Sequence, residues 1–350
     1  MAFQFFTQDL GIDLGTSNVL IYADGKGVVI REPSVVAMDK NSGRILQVGA
    51  AARNMMGRTP GNVVAMRPLK DGVISDHELT VKMLQSLFQT VNESTMFSPK
   101  PRVVISVPSG ITEVEERSVI NAATEAGARR VYLIEEPLAA ALGAGLDLNS
   151  PMGHMVVDLG AGTTDIAVLT MNGVATSSSL KIAGDAFDEA IARYLRHKYG
   201  VVIGQATAED LKIQIGSVYP RNENPAMTVK GRDAKNGVPR EVTITAAEIC
   251  EVLSRPARQI ADEVLSVLED TSPELVGDIA QNGIVLTGGS SQLYGMDFLL
   301  SERTGVRCVV ADDAPSCVVY GCGKSLAWIN QMTEGPIHVA RKRLLGNKHR

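Results

Sequence analysis

The 350-residue chain has few aromatic residues, cysteines or histidines. Phe, Tyr and Trp together make up 4% of it, and there is a single tryptophan. The four cysteines form no CxxC pair, and the five histidines form no HExxH or HxH group. These absences argue against a disulfide scaffold and against a structural zinc site. They favour buried free thiols in a reducing compartment.

Long apolar runs and an excess of positive charge are also missing. No stretch approaches the roughly 18–20 apolar residues that a membrane-spanning helix needs. The N-terminus, MAFQFFTQDLG, lacks the basic start and the roughly 7–15-residue apolar stretch of a secretion signal. The net charge of -5 argues against a general nucleic-acid binder. The basic run at residues 340–350 is interpreted as a solvated tail, with a weak attraction to anionic lipid as the alternative.

The sequence does contain an alternation of strand-like and helix-like segments, which predicts α/β layers. Its length suits two domains. Two capping boxes predict helix starts, one formed by Thr112 with Glu115 and one by Thr245 with Glu248. Residues 18–23 and 27–32 flank Asp-Gly-Lys and are predicted to form a β-hairpin.

One phrase occurs twice, as GIDLGTSN at residues 11–18 and as VVDLGAGTTD at residues 156–165. Each copy is followed much later by a proline with glycines six and eight positions further on. These residues are Pro137, Gly143 and Gly145 in the first half, and Pro315, Gly321 and Gly323 in the second. The repetition predicts two similar domains that face each other.

The repeated phrase has the composition of a phosphate-binding turn. Glycines in a tight turn let the backbone approach a ligand closely, and successive N–H groups form an anion-binding concavity. An aspartate beside phosphate is repulsive unless a cation lies between them, and Mg²⁺ held by one or two carboxylates resolves that conflict. The alternative is that each phrase is only a hairpin whose Asp and Thr stabilise the turn. Because the phrase occurs twice and a glycine turn, TGGSS, follows, we expect nucleotide phosphates and Mg²⁺ between the two copies.

Five ordered motifs carry a resemblance to a known superfamily. IDLGTSN, VVDLGAGTTD, IEEPLAAALGAG, GIVLTGGSSQL and CVVYGCGKSL resemble the nucleotide-site motifs of the actin, sugar-kinase and heat-shock-chaperone ATPases. Within it, the chain is most similar to the MreB family of bacterial actin homologues, including Mbl-like paralogues. The likeness covers nearly the whole chain. It implies an α/β, actin-like (ribonuclease H-like) duplicated fold with two domains of two subdomains each around a nucleotide cleft.

The resemblance also implies domain boundaries and site residues. Domain I would comprise residues 1–148 and 322–350, with a subdomain at roughly 33–69. Domain II would comprise residues 149–321, with a subdomain at roughly 181–245. Asp13 and Asp158 would hold Mg²⁺, mostly through water, and the cofactors would be ATP or ADP with Mg²⁺. The nucleotide contacts would be Gly15, Thr16, Ser17, Asn18, Gly160, Ala161, Gly162, Thr164, Gly184, Asp185, Glu209, Asp210, Leu211, Lys212, Gly288, Gly289, Ser290 and Ser291.

By the same resemblance, Glu136 would orient or deprotonate the attacking water, and Thr163 would help to place it. The alternative for Glu136 is an acidic residue favoured by the dipole at a helix N-terminus. The chain departs from the family pattern at Ala161, where Gly is usual, at Asp165, where Glu is usual, and at Ser290 in GGSS. These departures bear on nucleotide affinity and hydrolysis rate more than on fold.

The resemblance further implies a slowly ATP-hydrolysing cytoskeletal protein that forms filaments of paired protofilaments on the inner face of the cytoplasmic membrane. Such filaments direct cell-wall synthesis and rod shape, with cell-wall elongation proteins as partners and no nucleic acid. Membrane contact would come from Phe3, Phe5, Phe6, Met96 and Phe97. The alternative is that these residues cover local core.

Two other classes of function are considered. A sugar or acetate kinase of the same superfamily would need an acceptor site with its own catalytic base, and no motif demands one. A chaperone ATPase would need a β-rich peptide-binding domain after the ATPase.

Overall fold

The computed structural model describes residues 9–92 and 100–331. The chain divides into two compact units. Unit 1 comprises Met1–Asp147 and Ser316–Arg350, and unit 2 comprises Leu148–Pro315. The second division, at 315/316, precedes the expected boundary at 321/322.

Unit 1 is built on a five-stranded sheet with strand order β10-β9-β1-β2-β3. Its strands are β1 Leu10–Leu14, β2 Asn18–Ala23, β3 Gly27–Pro33, β4 Val36–Asp39, β5 Ile45–Val48, β6 Val63–Met66, β7 Leu69–Lys70, β8 Val73–Ile74, β9 Arg102–Val107 and β10 Arg130–Glu135. Its first four helices are α1 Ala50–Arg53, α2 His77–Asn92, α3 Glu113–Ala126 and α4 Glu136–Gly143. Strands β4, β5 and β6 form a separate small sheet that packs with α1 over Val35, Ala37 and Ala52.

Unit 2 is built on a second five-stranded sheet, with strand order β13-β12-β11-β17-β18. Its strands are β11 His154–Leu159, β12 Thr164–Thr170, β13 Gly173–Leu180, β14 Val201–Val202, β15 Ala226–Asp233, β16 Pro239–Thr245, β17 Ile284–Thr287 and β18 Cys308–Val310. Its helices are α5 Gly184–Tyr194, which continues as a π-helical turn at Leu195–Tyr199, α6 Gln205–Ile215, α7 Ala246–Glu269, α8 Pro273–Asn282 and α9 Met296–Thr304. Short 3₁₀ turns occupy Gly289–Gln292 and Ala314–Ser316. The chain then returns to unit 1 with α10 Cys317–Ser325 and a 3₁₀ turn at Leu326–Trp328.

The two large sheets have the same topology, which confirms the predicted duplication. In unit 1, β1 pairs antiparallel with β2 and parallel with β9, and β9 pairs parallel with β10. In unit 2, β11 pairs antiparallel with β12 and parallel with β17, and β17 pairs parallel with β18. The repeated Asp-Leu-Gly phrase therefore forms the same central hairpin in both sheets.

Strand alternation separates the aspartates from the cores. In β1, Leu10, Ile12 and Leu14 belong to the core of unit 1, and in β11, Met155, Val157 and Leu159 belong to the core of unit 2. Because successive side chains of a strand point to opposite faces, Asp13 and Asp158 lie on the face opposite these core residues.

The glycines of the second repeated motif bring α4 and α10 into backbone contact within unit 1. A Cβ added to Gly143 would lie 1.7 Å from the carbonyl oxygen of Cys317, and one added to Gly321 would lie 1.8 Å from that of Ala139. Only glycine fits at either position. The recurrence seen in the sequence thus reflects two helices that each need glycine to approach the other.

Locally encoded features follow the predictions. Both capping boxes are formed, at the N-termini of α3 and α7, where each Thr accepts from the N3 backbone N–H and the N3 Glu accepts from the cap N–H. The predicted hairpin of β2 with β3 is present. All four cysteines are free, and three of them are buried. Among residues 9–92 and 100–331, no helix is both long and apolar enough to cross a membrane.

Candidate functional site

The turn after β1 contains Gly15, Thr16 and Ser17 and leads into Asn18, the exposed first residue of β2. A Cβ added to Gly15 would lie 2.8 Å from the carbonyl oxygen of Asn18, so the tight turn requires glycine. Ser34 supports it twice: its Oγ donates to the Gly15 carbonyl at 2.6 Å, and its N–H donates to the Ser17 carbonyl at 2.9 Å.

The side chains of this turn are engaged by the segment that includes the β7–β8 hairpin. The Gly72 N–H donates to Thr16 Oγ1 at 3.0 Å, and Thr16 is buried. Nη2 of Arg67 donates to Ser17 Oγ at 3.5 Å. The structure therefore adds a guanidinium group to the predicted turn, which raises its capacity for anions.

Asp13 and Glu136 lie in one neighbourhood around the buried thiol of Cys322. Burial raises the pKa of this thiol well above its usual value, and the carboxylates of Asp13 and Glu136 raise it further. Glu136 is buried as the first residue of α4. The adjacent Glu135, the last residue of β10, accepts a hydrogen bond from Ser109 Oγ at 3.3 Å. Unit 1 thus brings together a predicted metal ligand and the predicted water-orienting carboxylate.

Asp158 has a different environment in unit 2. It is 5% exposed, and its Oδ1 accepts a hydrogen bond of 2.6 Å from Oγ1 of Thr287. Asp165 lies directly opposite on β12 and is fully buried. Burial raises the pKa of Asp158 to about 7, the hydroxyl of Thr287 opposes this rise, and the charge of Asp165 adds to it. A cation bound here would offset both the burial and the repulsion of these carboxylates.

The turn after β11 is closed by its own backbone and is held by two neighbouring segments. The Gly160 N–H donates to the Thr163 carbonyl at 2.9 Å. The carbonyl of Gly160 accepts from the Gly184 N–H at 3.2 Å and from Ser290 Oγ at 2.7 Å. The Asp185 N–H donates to the carbonyl of Ala161 at 2.8 Å. Three predicted regions, the turn, the start of α5 and the 3₁₀ turn, are therefore in direct contact within unit 2.

Some predicted contacts on this turn face inward. Gly162, Thr163 and Thr164 are buried, and Thr164 Oγ1 donates to the carbonyl of Ile182 at 2.7 Å. The structure thus gives the Thr164 hydroxyl a role in holding the short segment between β13 and α5.

Lys212 of α6 is held at the start of α5. Its Nζ lies 2.9 Å from Oδ1 of Asp188 and donates to the carbonyl of Gly184 at 2.9 Å. Asp188 is 3% exposed, and burial raises its pKa to about 6 although Lys212 lowers it. The charges of Glu209 and Asp185 also raise the pKa of Asp188, so these predicted residues share its neighbourhood. We regard Lys212 and Asp188 as an ion pair because of the short distance between them.

Two other predicted residues of α6 point elsewhere. Leu211 is fully buried in the hydrophobic core of unit 2, so its side chain stabilises the core rather than lining a site. Asp210 is exposed.

The segment Gly288–Ser291 forms a tight turn after β17. Gly288 has a φ of 80°, and a Cβ on it would lie 2.3 Å from the carbonyl oxygen of Leu159. Ser291 Oγ donates to the Gly288 carbonyl at 2.7 Å. Gly289 is exposed, and a Cβ there would meet nothing within 4 Å. This turn therefore offers open backbone at Gly289, beside the turn after β11.

Residues Phe3, Phe5, Phe6, Met96 and Phe97, predicted to contact the membrane, lie outside the described residues, as does the basic segment at 340–350. Within the described part of the chain, no group of three or more His, Cys, Asp or Glu side chains is arranged to hold a metal ion. An Mg²⁺ ion at Asp13 or Asp158 would therefore need water or phosphate oxygens as further ligands, which is how Mg²⁺ is commonly bound.

Sequence reasoning missed four residues that the structure places here: Ser34, Arg67, Asp188 and Thr287. Thr287 is the first residue of the predicted glycine turn TGGSS, and Asp188 lies one helical turn after Gly184, so each had a local signal. Ser34 and Arg67 had no local signal in the sequence for a role at this turn.

Comparisons with known proteins identify the family of this chain. The family model described as MreB/Mbl protein matches residues 7–334. The chain belongs to the MreB/Mbl family. It is 50% identical over 329 residues to the cell shape-determining protein MreB of Escherichia coli K12, which covers 93% of this chain and 95% of the relative. It is 49% identical over 321 residues to the cell shape-determining protein Mbl of Bacillus subtilis 168, which covers 92% and 96%.

The structure is also similar to solved members of this family. The crystal structure of MreB5 of Spiroplasma citri bound to ADP has a TM-score of 0.87 and 37% identity, and the match covers 93% of this chain and 97% of that one. The AMPPNP-bound form of MreB5 has the same TM-score and 38% identity. The MamK double helical filament, at 22% identity and a TM-score of 0.76, shares the fold. The predicted actin-like α/β fold and the predicted family are confirmed.

Proposed function

We propose that this MreB/Mbl-family chain binds ATP with Mg²⁺, hydrolyses it slowly and forms membrane-associated filaments with a cytoskeletal role in cell shape. One observation carries the nucleotide part: each unit has, at the same topological position, an aspartate-bearing strand that ends in a tight glycine turn. The ADP and AMPPNP bound to the related MreB5 support the same assignment.

Each turn would bind phosphate oxygens through its backbone N–H groups. In unit 1 these come from Gly15 to Asn18, with the guanidinium of Arg67 adding positive charge beside Ser17. In unit 2 they come from Gly160 to Gly162, whose turn is held by Ser290 and by the start of α5. The nucleoside would be bound by Glu209, Lys212 and the exposed backbone at Gly289.

Asp13 and Asp158 fit a cation held partly through water, because both are carboxylates at strand ends beside these turns. When bound, Mg²⁺ supplies charge neutralisation to the phosphates. The chain's own part in hydrolysis is to position water: the buried carboxylate of Glu136 would accept a hydrogen bond from it and orient it, with Thr163 helping to place it. This assignment makes Glu136 a hydrolysis residue rather than a binding residue.

The filament and membrane parts rest on family membership. The related proteins are named cell shape-determining proteins, and we extend that role to this chain. We further propose paired protofilaments on the inner face of the cytoplasmic membrane, with elongation proteins of the cell wall as partners. Lipid contact would be made by the N-terminal phenylalanines and by Met96 and Phe97. Each contact is weak, and many copies in a filament add through avidity.

The decisive test is high-speed pelleting with ATP and Mg²⁺, with and without anionic liposomes. We expect the wild type to sediment with ATP and Mg²⁺. The variants Asp13→Ala and Asp158→Ala should lose both nucleotide binding and sedimentation. Glu136→Ala should bind ATP as the wild type does and release phosphate at least about 10²-fold more slowly. A protein that stays soluble and phosphorylates a sugar or acetate would instead be a kinase of the superfamily.

The membrane part has its own test. Phe97→Asp should abolish co-sedimentation with liposomes, because a charge replaces an apolar contact worth at most about 1.5–3 kcal/mol per subunit. ATP binding should not change. Unaltered liposome binding by this variant would contradict the role of Phe97 in lipid contact.

A further inference from the structure

Thr287 makes an unusual hydrogen bond for a buried threonine of this chain. It is the last residue of β17, is fully buried, and lies beside Asp158 in the parallel register of β11 and β17. Its Oγ1 donates to the carboxylate Oδ1 of Asp158 at 2.6 Å. By contrast, the buried hydroxyls of Thr164 and Thr271 donate to backbone carbonyls, those of Ile182 and Val267. The Thr287 hydroxyl thus donates its hydrogen bond to an ionisable side chain.

The hydrogen bond from Thr287 helps to hold the Asp158 carboxylate in one orientation. A β-branched side chain has restricted χ1, so the backbone of β17 limits the positions that Thr287 Oγ1 can take. Asp165 of the partner strand β12 lies opposite Asp158, and its charge disfavours the ionised form of Asp158. Without the bond from Thr287, the Asp158 carboxylate would lose a donor that favours its ionised form and helps to hold its orientation.

We propose that Thr287 is a positioning residue that holds the Asp158 carboxylate in the orientation that binds the divalent cation of a nucleotide complex. This rests on the proposed function, in which Asp158 is a cation ligand. Residues that orient a metal ligand without touching the metal commonly change metal affinity by about 10–100-fold when they are replaced. Thr287 also directly precedes the Gly288–Ser291 turn. The end of β17 would therefore support both the cation ligand Asp158 and the turn proposed to bind the nucleoside.

The test is Mg²⁺ titration of fluorescent mant-ATP binding to the full chain. Thr287→Val keeps the shape of the side chain and removes the donor. We expect it to raise the Mg²⁺ concentration for half-maximal binding by about tenfold or more. Thr287→Ser restores the hydroxyl and should return this concentration close to the wild-type value. Residual binding in EDTA should be the same in all variants, since the effect acts through the cation.

Thr271→Val is the matched control. It removes a buried hydroxyl of unit 2 whose hydrogen bond is also 2.6 Å but whose acceptor is a backbone carbonyl. It should lower thermal stability as much as Thr287→Val does and leave the Mg²⁺ dependence unchanged. If Thr287→Val is poorly folded, Thr287→Cys, a weaker donor of similar size, should give an intermediate Mg²⁺ requirement.

A double-mutant cycle tests whether Thr287 acts through Asp158. In an Asp158→Asn background, Thr287→Val should have no further effect on Mg²⁺ dependence. Equal Mg²⁺ requirements for wild type, Thr287→Val and Thr271→Val would overturn the inference and leave the proposed function intact. A wild type that binds mant-ATP equally with and without Mg²⁺ would overturn both.

Discussion

Replacing Asp158 with Asn should stabilise the protein in the absence of nucleotide and divalent cations. The carboxyl is almost completely buried and lies opposite a second buried carboxyl, Asp165. Asparagine keeps the shape and keeps an oxygen that accepts the hydrogen bond from Thr287. It removes the charge that burial makes costly. A residue assigned to cation binding is thereby predicted to destabilise the fold of the free protein.

The magnitude follows from the pKa of Asp158, which burial raises from 3.8 to about 7. The folded protein therefore binds this proton more tightly than the unfolded chain does. The destabilisation is absent below about pH 4 and complete above about pH 7. This difference corresponds to about 4 kcal/mol at pH 8 and about 2 kcal/mol at pH 5.5. Burial of the asparagine amide subtracts about 1–3 kcal/mol at both pH values.

The assay is urea denaturation of wild type and Asp158→Asn at pH 8 and pH 5.5 in EDTA, with hydrogen exchange of the β11 amides reporting on unit 2. We expect Asn to increase the free energy of unfolding at pH 8 by about 2 kcal/mol more than at pH 5.5. The exposed Asp270, changed to Asn, should alter stability by less than about 0.5 kcal/mol at either pH. A gain that is the same at both pH values, or a loss that grows towards pH 8, would refute the reasoning.

Two other predictions concern packing and charge. Gly321→Ala should destabilise unit 1 by at least about 1–3 kcal/mol, because its Cβ would overlap the carbonyl of Ala139. The fluorescence of Trp328, the only tryptophan, reports this unfolding, and an unchanged midpoint would contradict the helix contact. Lys212→Met should destabilise unit 2 by about 3–5 kcal/mol, because Asp188 is left as a buried charge. Adding Asp188→Asn should recover most of that loss in thermal unfolding, and an additive double variant would exclude the ion pair.

The sequence predicted what is encoded locally. The two hairpins, both capping boxes and the paired glycine motifs each occupy a short stretch whose residues interact with one another or impose one backbone shape. The duplication was visible because the same short stretches recur in the same order. The fold followed from their order together with the family resemblance.

The sequence did not predict contacts between distant segments. The bond from Thr287 to Asp158 joins residues 129 positions apart, and it exists only because β17 inserts beside β11 in the sheet. Asp188 and Leu211 show the same limit on helices. Leu211 was predicted as a nucleotide contact and Asp188 was not predicted. Burial against a neighbouring element gives Asp188 an ion-pair partner and Leu211 a core position.

The two aspartates of the repeated phrase therefore have different environments, although both stand in the same Asp-Leu-Gly sequence. Asp13 is partly exposed and has a neutral, buried thiol and Glu136 near it, whereas Asp158 is buried opposite Asp165. A ligand that binds only the folded state stabilises it in proportion to the logarithm of its concentration over its dissociation constant. Because burial and the charge of Asp165 disfavour ionisation of Asp158, cation binding at Asp158 should stabilise unit 2 by relieving a cost already present in the free protein. Unit 2 would then be more stable with the cation bound than without it. Loss of the metal-bound nucleotide would loosen the strand end and the glycine turn that bind it.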